Sequence, residues 1–167
     1  MTQLAEQLRA MEEEERELQF DRFENETALA LGLAVIEEAK RLDKRITVEI
    51  YREGQRLFAH AMTGTSAENE NWIRRKNNVV NHFGQSSWHV ALRVRDEGKT
   101  LEADYGLPLA DYVGAGGGFP LVLRGTGPIG TITVSGLPDQ EDHDLLIAAL
   151  RAFINREREL DQSGVRA

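Results

Sequence analysis

The stretch that most limits the fold is ITVEIYREGQRLFAHAM, Ile46 to Met62. Ile46, Val48 and Ile50 alternate with Thr47, Glu49 and Tyr51, the two-residue period of a strand with one buried face. Glu53-Gly54 then supplies a two-residue turn, a connection that joins antiparallel neighbours. Counting outward from that turn sets Val48 opposite Ala59 and Ile50 opposite Leu57. Phe58, His60 and Met62 then share the second face with Tyr51. An apolar second face needs a cover: a helix, a ligand or another subunit.

Helical segments surround this hairpin. Residues 2–19 read as a polar helix whose stripe of Leu4, Leu8, Met11 and Leu18 is broken at Glu15. It is either an edge helix or an arm that docks on a neighbouring subunit. Residues 26–42 are apolar nearly all round, through Leu29, Leu31, Leu33, Val35 and Ile36, and read as a helix buried between other elements, with Asn25 as N-cap. Ser66 caps a helix to about Phe83, which Gly84 ends. WHVALRVR is ambiguous: Trp88, Val90, Leu92 and Val94 alternate like a strand, while Trp88, Ala91 and Leu92 also suit a helix, which is the reading taken because Ser86-Ser87 can cap it and Gly98 can stop it. Asp139 is expected to cap a final helix that runs to about Arg156.

Two further apolar runs, Phe119 to Leu123 and Ile129 to Val134, flank a glycine-rich connection. The order of hairpins and segregated helices points to an α+β fold with an antiparallel sheet of about five strands. The connection contains GTGPIG, Gly125 to Gly130, which matches the dinucleotide pattern G-x-G-x-x-G. A phosphate loop needs a helix after it, so that helix N–H groups meet the phosphate. Here the strand-like TITVSG follows, and Pro128 removes an N–H. The match is a hairpin, not a nucleotide site.

The 167 residues suit one domain with a sizeable core. The formal net charge of −8 argues against nucleic acid as a partner. With no cysteine, disulfides, thiolate catalysis and Cys-held metals drop out. The longest apolar run, Ala28 to Ile36, falls far short of the roughly 20 residues that span a bilayer. No membrane association is expected, and the expected location is cytoplasmic.

Three features carry candidate chemistry. In AENENWIRRKNNVVNHF, Lys76 and Asn69 fall on the apolar stripe formed by Trp72, Ile73, Val79, Val80 and Phe83. A lysine there is snorkelling, paired with an acid, or aimed at an anionic ligand with Asn69 and Arg75 as partners. Gly116, Gly117 and Gly118 precede Phe119; they mark a bulge, a tight subunit contact, or a pocket floor of bare backbone. Asp139, Asp142 and His143 gather at the start of the last helix, where dipole complementarity alone explains the acids. His60, His82, His89 and His143 are scattered, with no metal-binding spacing, and no metal is expected.

Several motifs together resemble a known family: Arg52 to Phe58, Glu68 to Val80, Phe83 to Trp88, Gly116 to Leu121, and Gly127 to His143. They resemble the haem-degrading HbpS-like family, whose relatives include GlcG and the C-terminal domain of PduO, and most of all its short stand-alone branch. The resemblance implies a five-stranded antiparallel sheet flanked by helices, a profilin-like α/β sandwich. It also implies homo-oligomers, as rings or higher assemblies, and a haem or tetrapyrrole interaction in some relatives. The organisation expected is a helical arm over residues 1–18, the family domain over 19–158 and a disordered tail over 159–167. One departure stands at Ala115, where the branch carries histidine. Alanine cannot ligate haem iron, so haem as cofactor is left without that axial ligand.

The expected function is therefore a cytosolic, oligomeric small-ligand-binding protein. Its pocket is expected from Asn69, Trp72, Arg75, Lys76, Gly116, Gly117, Gly118, Phe119 and His143, for a tetrapyrrole or a small anion. Two alternatives stand beside it. One is an enzyme that degrades haem or acts on a small carboxylate, with Lys76 as base or imine former. The other is an assembly module without ligand, in which the glycines and the Phe58, His60 and Met62 face are subunit contacts.

Overall fold

The alternating stretches become strands β1 (Thr47–Arg52) and β2 (Gln55–Ala61). In the computed structural model, which describes residues 2–164, they join β3 (Gly118–Leu123) and β4 (Gly127–Ser135). The four make one antiparallel sheet in the order β2-β1-β4-β3. The α+β class holds, but the sheet has four strands where the sequence predicts about five. The chain at Phe20 makes only an isolated bridge to Leu123, with Phe20 N–H donating to the Val122 carbonyl and Arg124 N–H to the Phe20 carbonyl.

Glu53 (φ 50°) and Gly54 (φ 84°) both take positive φ, as this two-residue turn requires. Beyond the turn the ladder departs from simple counting. Tyr51 pairs with Arg56, but Ile50 pairs with Phe58 and Val48 with His60, so Leu57 is an extra residue in a bulge. The expected faces of β2 are thereby exchanged. Phe58 and His60 lie on the face of Val48 and Ile50, and Arg56 and Ala59 on that of Tyr51 and Glu49. The Phe58 ring packs where a Cβ on Gly32 would stand, so Gly32 makes room for it.

One sheet face is the main core. Val48, Ile50, Phe119, Leu121, Ile132 and Val134 are each no more than 1% exposed. They pack under α2 (Asn25–Arg41) and α6 (Asp139–Gln162) through Leu31, Val35, Leu146 and Leu150. Each such side chain contributes about 1.5–3 kcal/mol by leaving water. α2 is not buried all round, as its composition suggested; Leu29 and Leu33 are 54% and 52% exposed, because only one stripe meets the sheet. Its N-cap is Glu24, not Asn25, with the Thr27 hydroxyl accepting from the Glu24 N–H. α6 begins after Pro138, not Asp139. It continues to Gln162, into the stretch expected as tail; Arg22 meets Asp161 there at 2.8 Å, and residues 165–167 lie outside the described chain.

The other face lies under α3 (Ala67–Phe83), which packs on α4 (Ser87–Asp96) and α5 (Leu101–Tyr105) through Val79, Val90, Val94 and Tyr105. Gly84, in left-handed conformation at φ 68°, ends α3, and the Ser86 hydroxyl caps α4 by accepting from His89 N–H. α1 (Gln3–Glu17) docks on its own chain, where Met11 meets Trp88, Ala91 and Leu92. Among the described residues no helix is long and apolar enough to cross a membrane.

Candidate functional site

Lys76 sits on α3 facing the start of α6 and is 2% exposed. Its Nζ donates to the Val134 carbonyl at 3.0 Å and to Asp142 Oδ2 at 3.2 Å. The other carboxylate oxygen, Oδ1, accepts from the Leu137 N–H at 3.1 Å. Burial lowers the Lys76 pKa, opposed by Asp142. Burial also raises that of Asp142 to about 6, opposed by Lys76 and the Leu137 and Gly136 amides. The ion-pair reading of Lys76 thus describes its surroundings.

The three glycines explain how the lysine reaches that place. A Cβ on Gly116 would overlap the Asp139 carbonyl. One on Gly117 (φ 129°) would overlap the Val134 carbonyl and stand 2.8 Å from Lys76 Nζ. One on Gly118 would lie 2.9 Å from Val80. The bare backbone is a meeting point for α3, β4 and the first turn of α6, within one chain.

His143 lies beside Gly116 and is 2% exposed. Its Nε2 donates to Glu14 Oε1 at 3.0 Å, and its Nδ1 has no hydrogen-bond partner among the described residues. One residue along α1, Glu15 takes His89 Nδ1–H at 2.9 Å and the Ser86 N–H at 3.0 Å. Glu15, which interrupts the leucine stripe of α1, is therefore an anchor.

The remaining expected site residues scatter. Asn69 accepts from the Ser66 N–H and donates to Ser135 Oγ at 3.1 Å. The Arg75 guanidinium lies 4.9 Å from the Trp72 ring centre and donates to the Leu109 carbonyl. Phe119 points to the opposite side of the sheet, into the α2–α6 core. Lys76, the glycines and His143 come together; Trp72, Arg75 and Phe119 do not join them.

A cleft of about 550 Å³ lies on the other flank of α3, between that helix and the β1–β4 strands, and Lys76 is not among its lining residues. Glu49 and Tyr51 of β1, Thr131 of β4, Glu53 of the turn, and Glu70 and Asn77 of α3 give it its chemistry. Asn78, Asn81 and Ile73 extend the helical wall, and Pro128 to Gly130 the strand wall. Tyr51 donates to Glu49 Oε1 at 2.9 Å, and burial together with that carboxylate raises the Tyr51 pKa, so the phenol keeps its proton. Glu49 is 4% exposed; Arg56 approaches the same Oε1 at 3.8 Å, and among the described residues no hydrogen bond reaches Oε2. Asn77 accepts from the Thr133 hydroxyl. The signal for this cleft was present in the sequence as Glu70, Ile73, Asn77 and Asn81, spaced three and four apart, and as the polar alternates of β1.

A family model described as "Haem degrading protein HbpS-like" matches residues 23–151. A UPF0303 protein of Serratia proteamaculans is 46% identical over 147 residues, 88% of this chain and 91% of the relative. Among solved structures, the Ybr137w protein superposes with a TM-score of 0.83 at 28% identity, over 90% of this chain and 88% of that one. The structure of a PduOC:Heme complex superposes with a TM-score of 0.62 at 23% identity, over 75% of this chain and 89% of that one.

Proposed function

The chain belongs to the haem-degrading HbpS-like family, and on that premise we propose that it is a cytosolic small-molecule-binding protein whose ligand occupies the cleft between α3 and the sheet. The observation that carries this reading is Glu49: a carboxylate 4% exposed at the cleft wall, whose Oε1 is shared by the Tyr51 hydroxyl and Arg56, while among the described residues no hydrogen bond reaches Oε2. Oε2 is not among the fully buried atoms left without a partner, so it is reached from the cleft, where a ligand's donors can take the place of water. The volume suits a small organic molecule.

Haem, the group bound in the PduOC:Heme complex, fits these residues poorly. No histidine lines the cleft, and its carboxylates oppose propionates. The side chain at position 115 is a buried alanine, and His89 and His143 already hold Glu15 and Glu14. The pocket expected around Lys76 has its charge met by Asp142. No catalytic step is assigned.

A small-molecule panel that includes haemin, read by thermal shift and by Soret absorbance, tests the proposal on wild type and Asn81→Trp. Asn81 is exposed on the cleft wall, so tryptophan there obstructs the cleft and spares the core. A ligand that stabilises wild type but not the variant is expected. Equal stabilisation of both, or a haemin Soret shift untouched by the variant, moves binding elsewhere.

The second part of the proposal is self-association. Exposed Leu29 and Leu33 on α2 and the position of β2 at the edge of the sheet support it. The glycines and Phe58 do not, since their neighbours are within the chain. Light scattering on wild type and Leu29→Glu/Leu33→Glu checks it: an oligomer that the double variant dissociates is expected, and a monomeric wild type rules it out.

A further inference from the structure

The charges around the cleft favour a ligand of opposite sign to the one the sequence suggested. Four charged side chains line it: Glu49, Glu53, Glu70 and Arg74. Arg74 is committed away from the cleft. It donates to Asp111 Oδ1 at 2.9 Å, to the Ala110 carbonyl at 2.8 Å and to Asn71 Oδ1. Its charge is met by Asp111, which does not line the cleft. Lys76, on a different stripe of α3, is met by Asp142. What remains in the lining is carboxylate: Glu53 and Glu70 at exposed positions and the buried Glu49, which Arg56 approaches at 3.8 Å from outside the lining.

Resting on the cleft as binding site, we propose that its ligand is a small organic cation, an amine or guanidinium on a hydroxyl- or amide-bearing body. The cationic N–H groups meet Glu49 Oε2, which accepts no hydrogen bond among the described residues, and the acids at the rim draw them in. The amides of Asn77, Asn78 and Asn81 offer donors and acceptors to the polar body. Ile73, Ile129 and Pro128 are the apolar side chains of the lining, too few to hold a large flat apolar ligand. An anion of any shape meets three carboxylates here and no uncommitted cation.

The test holds shape constant and changes charge. Glucosamine, N-acetylglucosamine and glucuronate share one ring; agmatine and spermidine add guanidinium and polyamine probes. Calorimetric titration is run on wild type, Glu49→Gln, Glu70→Gln and Asn81→Trp. At least one cationic probe is expected to bind wild type, while N-acetylglucosamine and glucuronate do not. Glu49→Gln keeps an acceptor for Tyr51 and is expected to weaken the cation at least about 10-fold. Glu70→Gln, at an exposed position whose loss the fold tolerates, is expected to weaken it less and to reduce its salt dependence. Glucuronate binding that Asn81→Trp abolishes overturns the cation class and leaves the cleft as a site. Cation binding indifferent to all three variants overturns the cleft itself. Absence of binding by every cationic probe overturns the proposal.

Discussion

Lys76 Nζ and Asp142 Oδ2 lie 3.2 Å apart, with both side chains at or below 3% exposure, and they join the middle of α3 to the first turn of α6. The pair holds two layers of the fold in register. Removing one partner strands the other, a loss of about 3–5 kcal/mol for a buried pair. Asp142→Ala is accordingly expected to lose at least about 3 kcal/mol in urea unfolding. The double variant Lys76→Met/Asp142→Asn is expected to lose less than the sum of its single changes, with a coupling above about 1 kcal/mol. Additive losses would mean the two groups act separately.

The same pair sets a pH signature. Asp142 has a folded pKa of about 6 against an ordinary 3.8, so between those values the folded chain holds a proton the unfolded chain has released. Its contribution is full below about 3.8, declines as pH rises through about 6, and is flat above. Lys76 is shifted down, so its contribution has the opposite slope and grows as pH climbs from the lowered value toward 10.5. Chemical denaturation of wild type and Asp142→Asn between pH 4 and pH 7 reads the Asp142 contribution: the difference between the two proteins should change across that window. A constant difference refutes the assignment.

Gly117 has no room for a methyl group and a φ of 129° that L-residues avoid. Gly117→Ala is expected to cost about 3 kcal/mol or more, from backbone strain and overpacking together. Gly125→Ala, at a positive φ with nothing within 4 Å, carries the strain alone and should cost less. Melting temperatures of the two variants compare these costs, and equal losses would remove the packing argument.

Glu14 and Glu15 pin α1 to two buried histidines. Glu15→Ala removes the partner of His89 Nδ1 and of the Ser86 N–H, and Glu14→Ala leaves both nitrogens of His143 without a partner among the described residues. Each is expected to lose about 1–3 kcal/mol. Faster proteolytic cleavage within residues 3–17 should accompany the loss, and unchanged protection would show that Met11 and its apolar neighbours hold the helix by themselves.

The helices were readable because their ends carry chemistry that is local in sequence. Ser66, Ser86 and Gly84 do in the structure what such residues do at helix ends generally. The hairpins at Glu53-Gly54 and Gly125 to Gly127 were readable for the same reason. The partner of Lys76 was not, since Asp142 lies 66 positions away and its own location at a helix start had a sufficient local explanation. Glu15 read as a defect in a stripe because the histidine it serves is 74 positions distant. The cleft went unseen because the apolar stripe of α3 is the stronger periodic signal, and the amides beside it match no pattern of their own. The count of strands failed because the chain at Phe20 pairs with Leu123 through a single bridge, a matter of pairing that periodicity does not report.

Leu57, the unmatched residue of the first hairpin, has a further consequence for how this segment tolerates change in length. A chain missing Leu57 could zip into an uninterrupted ladder, with Tyr51 still opposite Arg56 and the Phe58 ring still over Gly32. Loss of Arg56 instead would move a leucine in beside Tyr51 and Glu49, greasing the mouth of the acidic cleft while leaving the opposite layer untouched. Adjacent one-residue deletions in the same strand would thus both remove the bulge, and only the loss of Arg56 would also change what the cleft admits.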